Sequence, residues 1–330
     1  MKQPESSRGD ERPPMSQNPP ELWTILALLL LIVTLSGHLY IFRGPGGDSG
    51  LWLYKKGRFL AGFSAWLIGV LGLVTALRRP PLVRRWRTEG FLFLMLVIFT
   101  APIPYGYPSS RRHTPSQAEY HLPVAGGPWR VLYGGGGGVH NPLALEPDRR
   151  YGLVMAREDD GTRWRSKDYD NTVSAESLSY GEAVLAPVGG VVVAAVQDLE
   201  DRSFQHRVEH STERGNHVVI EVAPHEFCIL AHLQQGSLTV SEGDIVAIGQ
   251  VLAKVGSSGR GVPLTEPHLD MHLSTRPEEG EGEGIPFYFH DYTGPDGPVE
   301  RGIPTGGLGH QGQLDGDLIG GPGVRESAPD

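Results

Sequence analysis

The segment Pro267-His268-Leu269-Asp270-Met271-His272-Leu273 sets three side chains able to bind a metal or carry a proton at every second position. In an extended strand, alternate side chains share a face, so His268, Asp270 and His272 point one way and Leu269, Met271 and Leu273 the other. A carboxylate between two imidazoles can ligate a divalent ion or pass protons near neutral pH. The same pattern also suits a solvated sheet face, and the strand alone leaves both readings open. Two further histidines stand beside apolar runs: His140 after the glycines Gly134 to Gly138, and His232 within Leu230-Ala231-His232-Leu233. Of 13 histidines, only His38 falls in a stretch apolar enough for a membrane. The single cysteine, Cys228, excludes an intramolecular disulfide and a cysteine-based metal site.

Three other signals carry less. His206-Arg207-Val208-Glu209-His210 has the spacing of an inverted zinc-peptidase helix, but it lies in a charged connector between strands and reads as a solvated loop. The run Gly134 to Gly138 lacks the Gly-Lys-Ser/Thr of a phosphate loop. The hairpin 243–255 is shaped like a carrier domain, yet its lysine, Lys254, sits within a strand rather than at the tip.

The elements that must position these residues are strands. Runs at 183–186, 190–196, 217–222, 227–233, 245–255 and 269–274 are strand-length, rich in Val, Ile and Leu, and separated by Gly, Asp and Asn turns. No stretch of this half has a helical period, and 45 Gly and 27 Pro favour a turn-rich fold. The expectation is an antiparallel, all-β domain over 129–293, preceded by a polar linker at 108–128. A disordered Gly-rich, acidic tail is expected at 294–330.

The first third is different. A polar tail, 1–21, precedes a membrane region at 22–107. Its apolar stretches 22–42, 59–77 and 91–104 read as three transmembrane helices, the first two of roughly the length a helix needs to cross. No small-residue cleavage site follows the first, so a retained anchor is expected. Arg78, Arg79, Arg84, Arg85 and Arg87 between the second and third stretches place that loop in the cytoplasm. Three spans then put the N-terminus inside and the C-terminal domain outside, with Arg43, Lys55, Lys56 and Arg58 in the outer loop. A net charge of -9 argues against a nucleic-acid partner.

Taken in order, several short segments resemble the lysostaphin-type (LytM-like) zinc metallopeptidases. Tyr180-Gly181-Glu182-Ala183-Val184-Leu185-Ala186-Pro187 with Gly190-Val191-Val192 is similar to that family's first strand pair. Gly215-Asn216-His217-Val218-Val219-Ile220, Leu230-Ala231-His232-Leu233, Gly243-Asp244-Ile245-Val246 with Gly249-Gln250, Gly256-Ser257-Ser258-Gly259 and Pro267-His268-Leu269 follow in the family's order. The resemblance implies a barrel-sandwich (duplicated hybrid) domain with zinc held by two histidines and an aspartate. It would place His140 as a ligand and His232 and His268 as catalytic groups.

Two ligand positions depart from the pattern. Val154 stands where the family has aspartate, and Asp270 where it has the third ligand, a histidine. One reading is a degenerate site without zinc, in a membrane-anchored module that binds envelope peptides or an envelope hydrolase. The other is an active endopeptidase cutting peptidoglycan cross-links. Its rearranged zinc site would use His140, Asp270 and His272, with Asp148 or Asp159 as further oxygen donors.

Overall fold

The computed structural model describes residues 22–77, 93–98, 106–135, 141–158, 177–201, 212–260, 267–307 and 316–321. His140, Asp159 and the His206–His210 pair lie outside these residues. The chain divides into two compact units, residues 1–38 with 56–102, and residues 39–55 with 103–330.

Helices dominate the first unit. Two helices are long and apolar enough to cross a membrane: α1 (Leu22–Arg43), and the continuous helix Gly47–Thr75, most of which is α3 (Arg58–Leu77). Trp23, Ala27, Ala65 and Leu96 form their shared buried cluster. Gly72 lets the Trp23 ring close in, since a Cβ there would sit 3.1 Å from it. Most other apolar side chains point outward, Leu22 at 66% exposure and Phe59 at 71% among them, as they would towards lipid. Polar groups within α1 are satisfied locally: Thr34 Oγ1 donates to the Leu30 carbonyl and His38 Nδ1 to the Thr34 carbonyl. Local pairing is the arrangement an apolar medium demands. Of the third apolar stretch, only the helical residues 93–98 are described.

Between α1 and α3 the sequence suggests a loop, but the structure is helical there. α2 (Gly47–Trp52) runs through a π-helical turn, Leu53–Gly57, directly into α3. No proline interrupts Leu51 to Arg58, and Gly57, the one poor helix former there, ends the π-helical turn.

The second unit is built on an eight-stranded antiparallel sheet. Its strands are β1 (Trp129–Tyr133), β2 (Leu153–Arg157), β4 (Gly190–Val196), β5 (His217–Ala223), β6 (Glu226–Ala231), β7 (Ile245–Val246), β9 (Leu269–Ser274) and β12 (Leu318–Ile319). Their spatial order is β12-β1-β2-β9-β6-β5-β4-β7. A pair, β3 (Ala183–Leu185) with β8 (Val251–Lys254), and a hairpin, β10 (Phe289–Gly294) with β11 (Gly297–Gly302), complete the β-structure. Val184, Leu252, Ala253 and Phe289 from these pieces share one buried cluster with Leu153, Met155, Val218, Ile220, Cys228, Leu230, Leu269, Met271 and Leu273 of the sheet. Full burial of each larger aliphatic side chain contributes roughly 1.5–3 kcal/mol. Strand alternation therefore fixes which face of β9 meets the core, because a slip of one residue would bury His268, Asp270 and His272 there instead.

Two expectations are corrected here. The stretch read as a polar linker is pinned to the domain: Ser109 and Tyr120 are fully buried, as is Val124, which bridges to Val184. The stretch read as a disordered tail includes β11 and β12, the latter paired with Trp129 and Arg130 of β1. Both segments are polar in composition, and the few apolar residues that anchor them (Leu122, Val124, Ile319) are too sparse to form a periodic signal.

Candidate functional site

The register brings the polar face of β9 between two neighbours. Asp270 lies opposite Val154 of β2 on one side and Ala231 of β6 on the other; His272 lies opposite Ile229. Small and apolar neighbours leave this face free to receive other groups. It is not solvated: His268, Asp270 and His272 are all buried.

The cover is formed by residues 141–152, which precede β2. Asn141 caps a short 3₁₀ turn, Pro142–Leu145, by accepting from Leu143 N, while its amide donates to the Gly135 and Gly152 carbonyls. Gly152 is required where this cover closes on β9, since a Cβ there would lie 3.3 Å from that of His272 and 2.9 Å from the Arg149 carbonyl. The cover delivers Arg149, whose Nη2 donates to Asp270 Oδ2 and whose Nη1 donates to Glu146 Oε2 at 2.9 Å. Asp270 Oδ1 accepts from His272 Nδ1 at 3.0 Å. Both oxygens of the carboxylate are therefore engaged.

His232 enters from the end of β6 with a positive φ of 65°, a left-handed conformation that histidine tolerates better than most residues but that still carries strain. The bend is held by His232 N donating to the Arg214 carbonyl and Gly256 N donating to the His232 carbonyl. It puts the ring 4.6 Å, centroid to centroid, from that of His268. His232 Nδ1 donates to the Ser258 carbonyl at 2.8 Å, and Ser258 is itself fixed by Oγ donating to the Leu233 carbonyl. A carbonyl can only accept, so the proton is on Nδ1 and the Nε2 lone pair is open. Ionised Asp270 fixes His272 in the same tautomer. Among the described residues, the buried Nε2 atoms of His232 and His272 have no hydrogen-bond partner.

The electrostatics follow from burial. Burial pushes the Asp270 carboxyl up, but Arg149 and the His272 hydrogen bond outweigh it and hold it well below the usual carboxylate range. His232 is pushed down to about 3, first by burial and then by His268. Burial likewise lowers His272 and His217. Burial would lower Arg149, yet Asp270 and Glu146 raise it overall, so the guanidinium stays charged. A second buried guanidinium, Arg214, donates to the Pro277 carbonyl at 2.6 Å and faces Asp148 Oδ2 at 3.7 Å. Neutral imidazoles thus stand in a closed, ion-paired frame.

Of the residues singled out by sequence, the structure brings together His232, His268, Asp270 and His272. Asp148 does not reach Asp270 as an oxygen donor; it accepts from Gly280 N at 2.8 Å and faces Arg214. Arg149 and Arg214 are the residues that sequence reasoning missed. The one signal was the pair Arg149-Arg150, five and four positions before Val154.

A zinc centre needs three or four nitrogen, oxygen or sulfur ligands converging at about 2.0–2.3 Å. Among the described residues no group of three or more His, Cys, Asp or Glu side chains converges in this way. The carboxylate that would contribute already has a donor on each oxygen, and one of these is a cation, which repels another. The described residues do not fit the metal.

Residues 174–281 match the model of peptidase family M23. The C-terminal part of this chain is accordingly an M23-type domain, the lysostaphin group. Solved structures with a similar fold include a zinc-containing peptidase from Vibrio cholerae, at 20% identity, with 52% of this chain and 41% of that chain covered and a TM-score of 0.31. A mutant catalytic domain of the prophage-encoded M23 protein EnpA from Enterococcus faecalis shares 23% identity over 50% of this chain and 93% of that one, with a TM-score of 0.30. The catalytic domain of lysostaphin from Staphylococcus simulans shares 16% identity over 49% and 88%, with a TM-score of 0.27. This chain spans less than half of the Vibrio protein. Comparison with curated protein sequences yields no match.

Proposed function

We propose that this M23-type domain is a non-hydrolytic module, held at the outer face of a membrane by its N-terminal helices. There it binds envelope peptides or an envelope hydrolase. The observation that supports this reading is the buried ion pair between Arg149 and Asp270, which puts a guanidinium on the carboxylate that a metal would need. With Val154 directly opposite Asp270, the neighbouring strand supplies no replacement ligand.

The test is zinc content and hydrolysis by the detergent-solubilised full chain. The expected outcome is far less than one zinc per chain and no peptide release from peptidoglycan, even with added zinc. Stoichiometric zinc that disappears on His140→Ala, together with peptide release, would overturn the reading.

A second reading is supported by the open, buried Nε2 lone pairs of His232 and His272. Here the chain is a zinc endopeptidase ligated by His140, Asp270 and His272, with His232 and His268 moving protons. It requires Arg149 to leave Asp270, and the same two measurements decide between them.

A further inference from the structure

Residues 44–46 link the two helices long enough to cross a membrane and 47–55 open the second of them, Gly47–Thr75, yet all of 44–55 pack as part of the β-domain unit. Glu283 is the centre of this packing and is 2% exposed. Its Oε1 accepts from Gly47 N, the first residue of α2, at 2.6 Å and from Tyr107 OH at 2.6 Å. Its Oε2 accepts from Ser110 N at 2.9 Å and from Ser110 Oγ. Four donors on one buried carboxylate leave it no need of water. Ile41, Leu51, Tyr54 and Tyr107 form an apolar cluster beside it. The fit at Gly50 is close: a Cβ there would meet Tyr107 OH at 2.7 Å.

From Glu283 the contacts lead to the cover of the histidine site. Glu283 ends the segment 275–283 that holds Arg214 through the Pro277 carbonyl and Asp148 through Gly280 N. The next residue, Gly284, donates from its N–H to the Pro147 carbonyl at 2.6 Å. At a second point on the cover, Tyr54 OH donates to the Leu145 carbonyl at 3.3 Å. Leu145 and Pro147 precede Arg149 by four and two positions, on the stretch that delivers it to Asp270. The cover is therefore gripped at two points by groups that belong to residues 44–55 or are bonded through Glu283 to them.

We propose that residues 44–55 are a strap by which the membrane anchor holds the Arg149 cover shut over the histidine cluster. Displacing the strap, by a partner or by movement of the anchoring helices, releases the cover and opens the face of β9. The strap acts on the closed site of the reading above, but it operates equally whether the opened site binds or cleaves.

The experiment is hydrogen–deuterium exchange on the full chain in detergent, comparing the parent with Gly50→Ala, Tyr54→Phe and Glu283→Gln. Gly50→Ala pushes α2 off Tyr107, Tyr54→Phe removes the contact with Leu145, and Glu283→Gln weakens the hub. Loss of one such grip is expected to speed exchange of the amides of Ala144, Glu146 and Gly152 by about tenfold, because local opening is set by the bonds that oppose it. Exchange in β5 and β6 should stay unchanged. Faster exchange confined to 44–55, with the cover as protected as in the parent, would overturn the proposal. Should Glu283→Gln lose protection throughout, Gly50→Ala and Tyr54→Phe, which alter only the strap, decide on the same readout. Neither outcome depends on zinc content or peptide release, so the strap and the proposed function fail separately.

Discussion

Arg149 and Asp270 hold opposite charges where water does not reach, and the energetics of that position set the behaviour of the site. Desolvating two ions costs several kcal/mol each, recovered by their contact and by the bonds to Glu146 and His272. Removing one partner strands the other. Arg149→Met is expected to destabilise the domain by about 3–5 kcal/mol, and the double change with Asp270→Leu to recover most of that loss. Chemical denaturation of both variants measures it; a double variant no more stable than the single one would show that the pair is not the cause. The histidines add a pH dependence. The His232 pKa is about 3 in the folded state against 6.5 unfolded, so the unfolded chain takes up a proton first as the pH falls. The stability this represents is present above 6.5 and is lost as the pH falls towards 3, by roughly 1.4 kcal/mol per pH unit for each such histidine. His272 and His217 shift in the same direction and add to the slope. The denaturation midpoint is therefore expected to drop clearly between pH 7.5 and pH 5, and His232→Gln to flatten the drop. Equal stability at the two pH values would contradict the burial argument.

At the scale of elements, alternation in β9 was legible in the sequence and its consequence was not. The spacing of Leu269, Met271 and Leu273 identified the core face, and the register confirms it. The polar face read equally well as ligand set or wet surface, because what covers a strand is decided by segments distant in sequence. Here the cover comes from more than 100 positions earlier, and its effective residue, Arg149, carried no periodic signal. The chain beyond Gly294 makes the same point from the other end. Phe289 and Tyr292 are buried in the main core, β11 pairs with their strand, and β12 closes the edge of β1. Truncation after Gly294 is thus expected to lower the thermal midpoint by several degrees or more, through lost pairing and exposure of Phe289 and Tyr292. A truncated chain melting with the parent would mean these strands contribute no stability.

At the scale of the whole molecule, two features are open to simple measurement. α1 and α3 carry outward apolar side chains along their length, so the chain is expected to stay with the membrane through an alkaline carbonate wash. Recovery in the soluble fraction would remove the anchor from the account. Cys228 is fully buried in the main core, and burial pushes its thiol up, away from the reactive thiolate. It should resist maleimide in the native chain and react on unfolding, which makes the one cysteine a reporter of global opening.

The sequence by itself determined the class of fold, the two long apolar helices, the core face of β9 and the four residues His232, His268, Asp270 and His272 that meet at the site. These rest on local periodicity and short motifs, which are written in neighbouring residues. Only the tertiary structure decided what those four residues face. The Arg149 guanidinium on Asp270, the closed cover and the Glu283 hub join segments between about 100 and 240 positions apart. Long-range packing of this kind leaves no period in the chain, because each partner is a single residue whose role exists only once the strands have paired.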